Sequence, residues 1–290
     1  MASSGDTGFL VVSENPPIKI FFEATTRLPL PQNKPILVLS NSLSAATWLW
    51  DQFVDTFSQD YTIIRYDTRF HGQSPLSAAQ DFDYEAGHTL DDLAADVIQL
   101  LDYLGINQAE AFIGLSIGGG IGVVLAATHP ERFRHFLVVG SRAHATPADD
   151  KVWDERVALA RQKGVAELAK QSVARWFNDE WRAAHAELAA DITAKVGAQP
   201  LEGYLASVAA LRKLNLWPHA GVIRDSGSGG KVLFVVGDQD AVSVVEETKA
   251  LAAQTGSSVV VIKDAGHIVH IQQPGRFNQV VKEALEGSVE

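Results

Sequence analysis

The chain has 290 residues, a formal net charge of −11 and no run of Lys or Arg, so a phosphate backbone would be repelled and nucleic acid is not an expected partner. Hydrophobic residues make up 46% and charged residues 20%, which fits a soluble globular enzyme, and no segment approaches the roughly 18 consecutive apolar residues that span a bilayer. The absence of cysteine removes disulfides, thiolate catalysis and cysteine-bound metal or iron-sulfur sites together.

Residues 1–8 show neither a basic region nor a long apolar stretch, so no signal peptide is expected and the chain reads as cytoplasmic. Runs at 9–12 and 18–24 flank the turn-forming Asn15-Pro16-Pro17 and predict a hairpin. Residues 36–40 form an unbroken apolar run, as in strands buried on both faces of a parallel sheet. A helix over 48–57 and a strand over 61–66 follow. After a long loop, Thr89 is positioned to cap a helix over 90–104, whose Leu93, Val97, Leu100, Leu101 and Leu104 recur at helical spacing, and Gly105 ends it. Arg65, Asp67 and Arg69, before and within that loop, read as a structural charge cluster.

A strand over 109–113 then leads into Gly114-Leu115-Ser116-Ile117-Gly118, with a helix over 118–127 behind it. This is the GxSxG pattern, in which a serine sits on a sharp turn between strand and helix with its hydroxyl clear of the sheet. A strand over 134–139 completes a β-α-β-α rhythm that predicts a mostly parallel sheet with helices on both faces. The rhythm stops at about 142, where several amphipathic helices begin. It resumes beyond Gly227-Ser228-Gly229-Gly230 with a strand over 231–236, a helix over 244–255, a strand over 258–262 and a helix after Pro274. The expected organisation is an α/β core over 1–141 and 224–290 with eight strands, interrupted by a helical cap over 142–223 above the C-terminal edge of the sheet. Gly118 to Gly122 fits neither nucleotide-binding glycine pattern.

A serine nucleophile needs a histidine base held by a carboxylate, in the chain order Ser, acid, His. His267 follows the last predicted strand and is the expected base for Ser116. Asp240, just after the strand over 231–236, is the expected acid, because Asp238 lies close enough to the strand end to be tied into the turn. The other place for an acid reads Gly140-Ser141-Arg142-Ala143 and holds no carboxylate. Backbone N–H groups of Ile117 and of Leu43, in the loop after residues 36–40, are the expected oxyanion donors. No metal or cofactor is expected, since His267 and His270 match no ligand pattern.

The chain resembles the α/β-hydrolases, and more narrowly the 3-oxoadipate enol-lactonases. The likeness rests on Leu39-Ser40-Asn41-Ser42-Leu43, Arg65-Tyr66-Asp67-Thr68-Arg69, His71-Gly72-Gln73-Ser74, the serine turn and Ala265-Gly266-His267 before Gln273-Pro274. Arg175-Trp176-Phe177 and Glu202-Gly203-Tyr204 extend it into the cap. Phe70 replaces the glycine usual in that family, His270 replaces a small polar residue, and Gly227 to Gly230 lengthens the return from the cap. The resemblance implies lactone ring opening through an acyl-enzyme, with no cofactor. It also implies a substrate carboxylate, for which Arg142 is the candidate partner, with Trp153 as a wall and Phe70 and His270 near the pocket, His270 either lining it or packing behind it. A bulkier neutral lactone or ester, favoured by Phe70 and by the lengthened return from the cap, is the competing substrate. A ligand-binding protein on the same scaffold, or a cofactor-free lyase or oxygenase, is a reading of another class. The cap offers a surface for a homo-oligomer contact.

Overall fold

The computed structural model describes residues 5–287 apart from 32 and 79. The expectation about a signal peptide falls partly on residues 1–4, outside the described residues. Strands β1 (Asp6–Glu14) and β2 (Pro17–Ala24) form the expected antiparallel hairpin. Next come β3 (Ile36–Ser40), a 3-10 turn over Thr47–Trp50 running into α1 (Asp51–Phe57), β4 (Thr62–Tyr66) and α2 (Leu90–Tyr103). At the start of α2 the Thr89 hydroxyl accepts the Asp92 N–H while the Asp92 carboxylate accepts the Thr89 N–H, so two first-turn donors are satisfied reciprocally.

The chain continues through β5 (Ala109–Leu115), α3 (Ile117–Thr128) and β6 (Phe133–Val139). Six helices then intervene: α4 (Pro147–Lys163), α5 (Val165–Trp176), α6 (Asp179–Ala184), α7 (Ala186–Gly197), α8 (Leu201–Arg212) and α9 (Trp217–Asp225). The last segment comprises β7 (Val232–Gly237), α10 (Val242–Thr255), β8 (Ser258–Ile262), α11 (Val269–Gln272) and α12 (Pro274–Leu285). The four-residue α11 was not expected: it is too short to show a helical period.

All eight strands join one sheet in the order β1-β2-β4-β3-β5-β6-β7-β8. Pairing is antiparallel at β1-β2-β4 and parallel from β4 through β8. Alternate residues of the central strands enter different cores. Val38, Ile64, Phe112, Val138 and Phe234 pack with α2, α3, α9 and α10, whereas Leu37, Leu39, Ile63, Ile113 and Val235 pack with α1, α5, α7 and α12. Both faces are therefore covered, which accounts for the unbroken apolar runs in the sequence. The chain leaves β3 toward β4 on one side and β5 lies on the other, so the loops after β3 and β5 emerge side by side. Such a reversal of strand order opens the crevice in which α/β sheets bind ligands.

Candidate active site

Ser116 lies between the last residue of β5 and the first of α3, with φ 59° and ψ −114°, a backbone region that side chains rarely enter. Its neighbours allow this. A Cβ on Gly114 would stand 2.1 Å from the Gly118 carbonyl oxygen, and one on Gly118 would stand 2.7 Å from the Ser40 oxygen. The GxSxG spacing is thus a steric requirement of the turn. Hydrogen bonds from Ser116 N–H to the Val139 carbonyl (2.7 Å) and from Gly120 N–H to the Ser116 carbonyl (3.0 Å) hold it in place.

The loops after β7 and β8 bring Asp240 to His267, with Asp240 Oδ2 2.8 Å from His267 Nδ1. Asp240 Oδ1 accepts the Ala241 N–H at 2.7 Å, so both carboxylate oxygens are engaged. Asp238 is turned into the loop, with Oδ1 3.4 Å from the Ala265 N–H and Oδ2 3.9 Å from Lys263 Nζ. Ser116, His267 and Asp240 line one cavity of about 280 Å³ together with Leu43 and Ile117. Ile117 is the first residue of α3, where backbone N–H groups lack an intrahelical acceptor and the helix dipole is positive. The Leu43 loop is anchored from below: Asn41 Nδ2 donates to the Tyr66 carbonyl at 2.8 Å, and the Ser40 and Tyr66 hydroxyls are 2.8 Å apart.

A model of the alpha/beta hydrolase fold family matches residues 35–274, most of the chain. The chain belongs to this family. Within it, the chain is similar to two 3-oxoadipate enol-lactonases of Acinetobacter baylyi. One is 31% identical over 88% of this chain and 90% of its own length, the other 29% identical over 86% and 88%. The crystal structure of an enol-lactonase from Burkholderia xenovorans LB400 aligns with a TM-score of 0.81 at 28% identity, covering 96% of this chain and all of that one. A thermophilic esterase from Thermogutta terrifontis, 21% identical with a TM-score of 0.80, shares the fold.

Two expectations about the pocket of this alpha/beta hydrolase need correction. Phe70 is fully buried and does not line the cavity; its ring packs against Phe82 (4.7 Å) and Tyr84 (5.0 Å). Its φ of +66° lies in the left-handed region that glycine enters freely and other side chains rarely adopt. His270 is also outside the cavity, stacked on Trp50 at 4.2 Å with Nε2 bonded to the Leu49 carbonyl at 3.0 Å. Burial pushes its pKa down to about 4.

Arg142 and Trp153 do line the cavity. The Arg142 guanidinium, however, is held by Asp149 and by Glu247, whose Oε1 lies 2.7 Å from Nη2 and 3.0 Å from Nε. Its charge is thus already shared between two carboxylates. Two arginines not assigned from sequence also face this space: Arg156 on α4 and Arg175 on α5. A signal existed for the first, since Trp153, Arg156 and Ala160 share one helical face, placing a cation on a buried stripe. Among the described residues no helix is long and apolar enough to cross a membrane, and no group of three or more His, Cys, Asp or Glu side chains gathers around a metal-sized site.

Proposed function

We propose that this hydrolase opens a lactone, or cleaves a related carboxylic ester, through an acyl-enzyme on Ser116. The observation that carries the reading is the His267-Asp240 hydrogen bond, formed in the cavity that also receives Ser116 from its strained turn. With Nδ1–H donated to Asp240, Nε2 of His267 is left as a proton acceptor, and the carboxylate stabilises the imidazolium that forms. Ser116 Oγ attacks the carbonyl carbon as its proton passes to Nε2, and the N–H groups of Leu43 and Ile117 receive the developing oxyanion.

Collapse of the adduct breaks the bond to the ring oxygen, which takes the proton back from His267. In a lactone that leaving group stays tethered and can reclose the ring. For an enol lactone, tautomerisation of the released enol to a ketone removes the nucleophile and makes opening one-way. Water, deprotonated by His267, then attacks the acyl carbon and frees the acid and Ser116. Similarity to the 3-oxoadipate enol-lactonases makes an enol lactone the first substrate to test. Phe70, one of the two features that favoured a bulkier neutral substrate, is buried away from the cavity, which leaves only the lengthened return from the cap behind that reading.

Ring opening of 3-oxoadipate enol-lactone, simple γ- and δ-lactones and aryl acetates should be followed for the purified protein and for Ser116→Ala. The expected result is turnover of the enol lactone that Ser116→Ala loses by at least about 10³-fold. Turnover that survives the substitution would overturn the serine mechanism, and no turnover of any ester or lactone would favour a binding function.

A further inference from the structure

The loop after β3 folds back on itself: the Ser42 carbonyl accepts the Ala45 N–H at 3.1 Å, so residues 42–45 form a tight four-residue turn. Its third residue, Ser44, has a φ of +59°, in the left-handed region that glycine enters freely and other residues rarely. Among the described residues three other non-glycine positions share this sign, Phe70, Ser116 and Asp264. Phe70 packs in an aromatic cluster and Asp264 sits in an exposed turn, whereas Ser44 and Ser116 both line the cavity.

Ser44 is 5% exposed, yet its hydroxyl has no hydrogen-bond partner among the described residues, and neither has the Leu43 N–H beside it. A buried hydroxyl without a partner is unfavourable, and so is the left-handed backbone that carries it. Glycine at this position would remove both penalties. Ser42 lines the cavity too, but on backbone without a positive φ. Two unfavourable features meeting in one side chain, on the loop that carries the Leu43 N–H, mark a hydroxyl whose partner arrives with the ligand. In the mechanism proposed above, the group that gains charge in this cavity is the carbonyl oxygen attacked by Ser116.

We propose that Ser44 is a catalytic residue whose hydroxyl donates to that oxygen as it becomes an oxyanion, a third donor beside the N–H groups of Leu43 and Ile117. The role rests on the serine-hydrolase reading, because it acts on the adduct formed at Ser116.

The parent, Ser44→Ala and Ser44→Gly should be compared on phenyl acetate, with urea unfolding alongside. Loss of one donor of three should lower kcat and kcat/KM together by at least about tenfold and leave KM within about twofold, as expected for an interaction made only in the transition state. Ser44→Gly should also unfold at a higher urea concentration than the parent, because it relieves the left-handed backbone. A serine retained for turn geometry alone would not lose turnover while gaining stability.

Phenyl trifluoromethyl ketone reads the adduct directly. Ser116 Oγ bonds to its carbonyl carbon, the serine proton passes to His267 and the carbonyl electron pair becomes the oxyanion, with no leaving group to depart. Its inhibition constant should rise at least about tenfold in Ser44→Ala. Changes below about twofold in both kcat and inhibition, or a loss shown by Ser42→Ala and not by Ser44→Ala, would overturn the role of Ser44 while leaving the hydrolase reading intact. Absence of Ser116-dependent cleavage by the parent would overturn the hydrolase reading itself, and the donor role with it.

Discussion

The backbone carbonyl of Trp176, the last residue of α5, accepts the backbone N–H of His267 at 2.9 Å. The approach is close: a Cβ on Gly266 would stand 2.4 Å from that carbonyl oxygen. Two residues further, Asn178 donates from Nδ2 to Gln239 Oε1 at 2.5 Å and caps α6 by accepting the Trp181 N–H at 2.7 Å. The N–H of Gln239 in turn bonds the Ala265 carbonyl at 2.9 Å. One junction of the inserted helices thus touches the loop bearing Asp240 and the loop bearing His267.

Asn178→Ala should therefore lower kcat by several-fold with a smaller change in KM, and cost about 1 kcal/mol of stability through loss of the α6 cap. Steady-state kinetics on an ester substrate, with urea unfolding alongside, would check this. A change confined to KM would place Asn178 outside the positioning of the two loops.

Asp240 and Asp238 separate the two carboxylates that the sequence offers at the end of β7. Asp240→Asn should reduce kcat/KM by on the order of 10³-fold or more, because an amide no longer holds the tautomer of His267 that can accept a proton. Asp238→Asn should stay within about tenfold of the parent. Comparable losses in the two variants would refute the assignment.

Phe70→Gly relieves a left-handed backbone, worth roughly 1–2 kcal/mol, and removes a fully buried ring, which costs roughly 3–5 kcal/mol. The net expectation is a loss of about 2 kcal/mol in urea unfolding, with kcat/KM on a small ester changed less than about threefold. A large change in substrate preference would return Phe70 to the pocket.

His270 should make the protein sensitive to acid. Its pKa is about 4 when folded, below the ordinary value of 6.5, so between these values the unfolded chain binds the proton and the folded one does not. Its contribution is complete above the unfolded value and is lost as pH falls toward 4, amounting to on the order of 2 kcal/mol by about pH 5. His88, lowered to about 3 by burial and then by Arg69, acts in the same direction, while Asp67 and Asp96, raised by burial to about 6, act in the opposite one. His270→Phe should therefore lose less stability than the parent between about pH 7.5 and pH 5. Parallel melting profiles would contradict the lowered pKa.

The parts of the fold that could be read from sequence are those whose signal is local. The apolar run at β3, the cap at Thr89 and the glycine spacing around Ser116 each follow from contacts within a few residues or from burial on both faces of a sheet. Chain order brought Asp240 and His267 into view for the same reason, since each follows directly on a strand of recognisable pattern. That Arg142 is paired with Glu247 could not be read from sequence, because this partner is 105 positions away and no local pattern reports it. Phe70 was placed near the pocket by resemblance alone, whereas it packs on Phe82 and Tyr84, and of the two roles open to His270 its stack on Trp50 matches packing.

The Trp176-His267 contact limits how this scaffold can be recombined. Exchanging the inserted helices between relatives is an obvious route to new substrate preferences, because α4 and α5 carry cavity-lining side chains. A graft ending before Trp176 leaves the recipient its own support for His267, whereas one running through Asn178 imports both halves of a joint that must fit Gly266 and Gln239. Chimeras cut on either side of this three-residue stretch should differ in turnover even when they bind the same molecules, so the boundary of the insertion is itself a design variable.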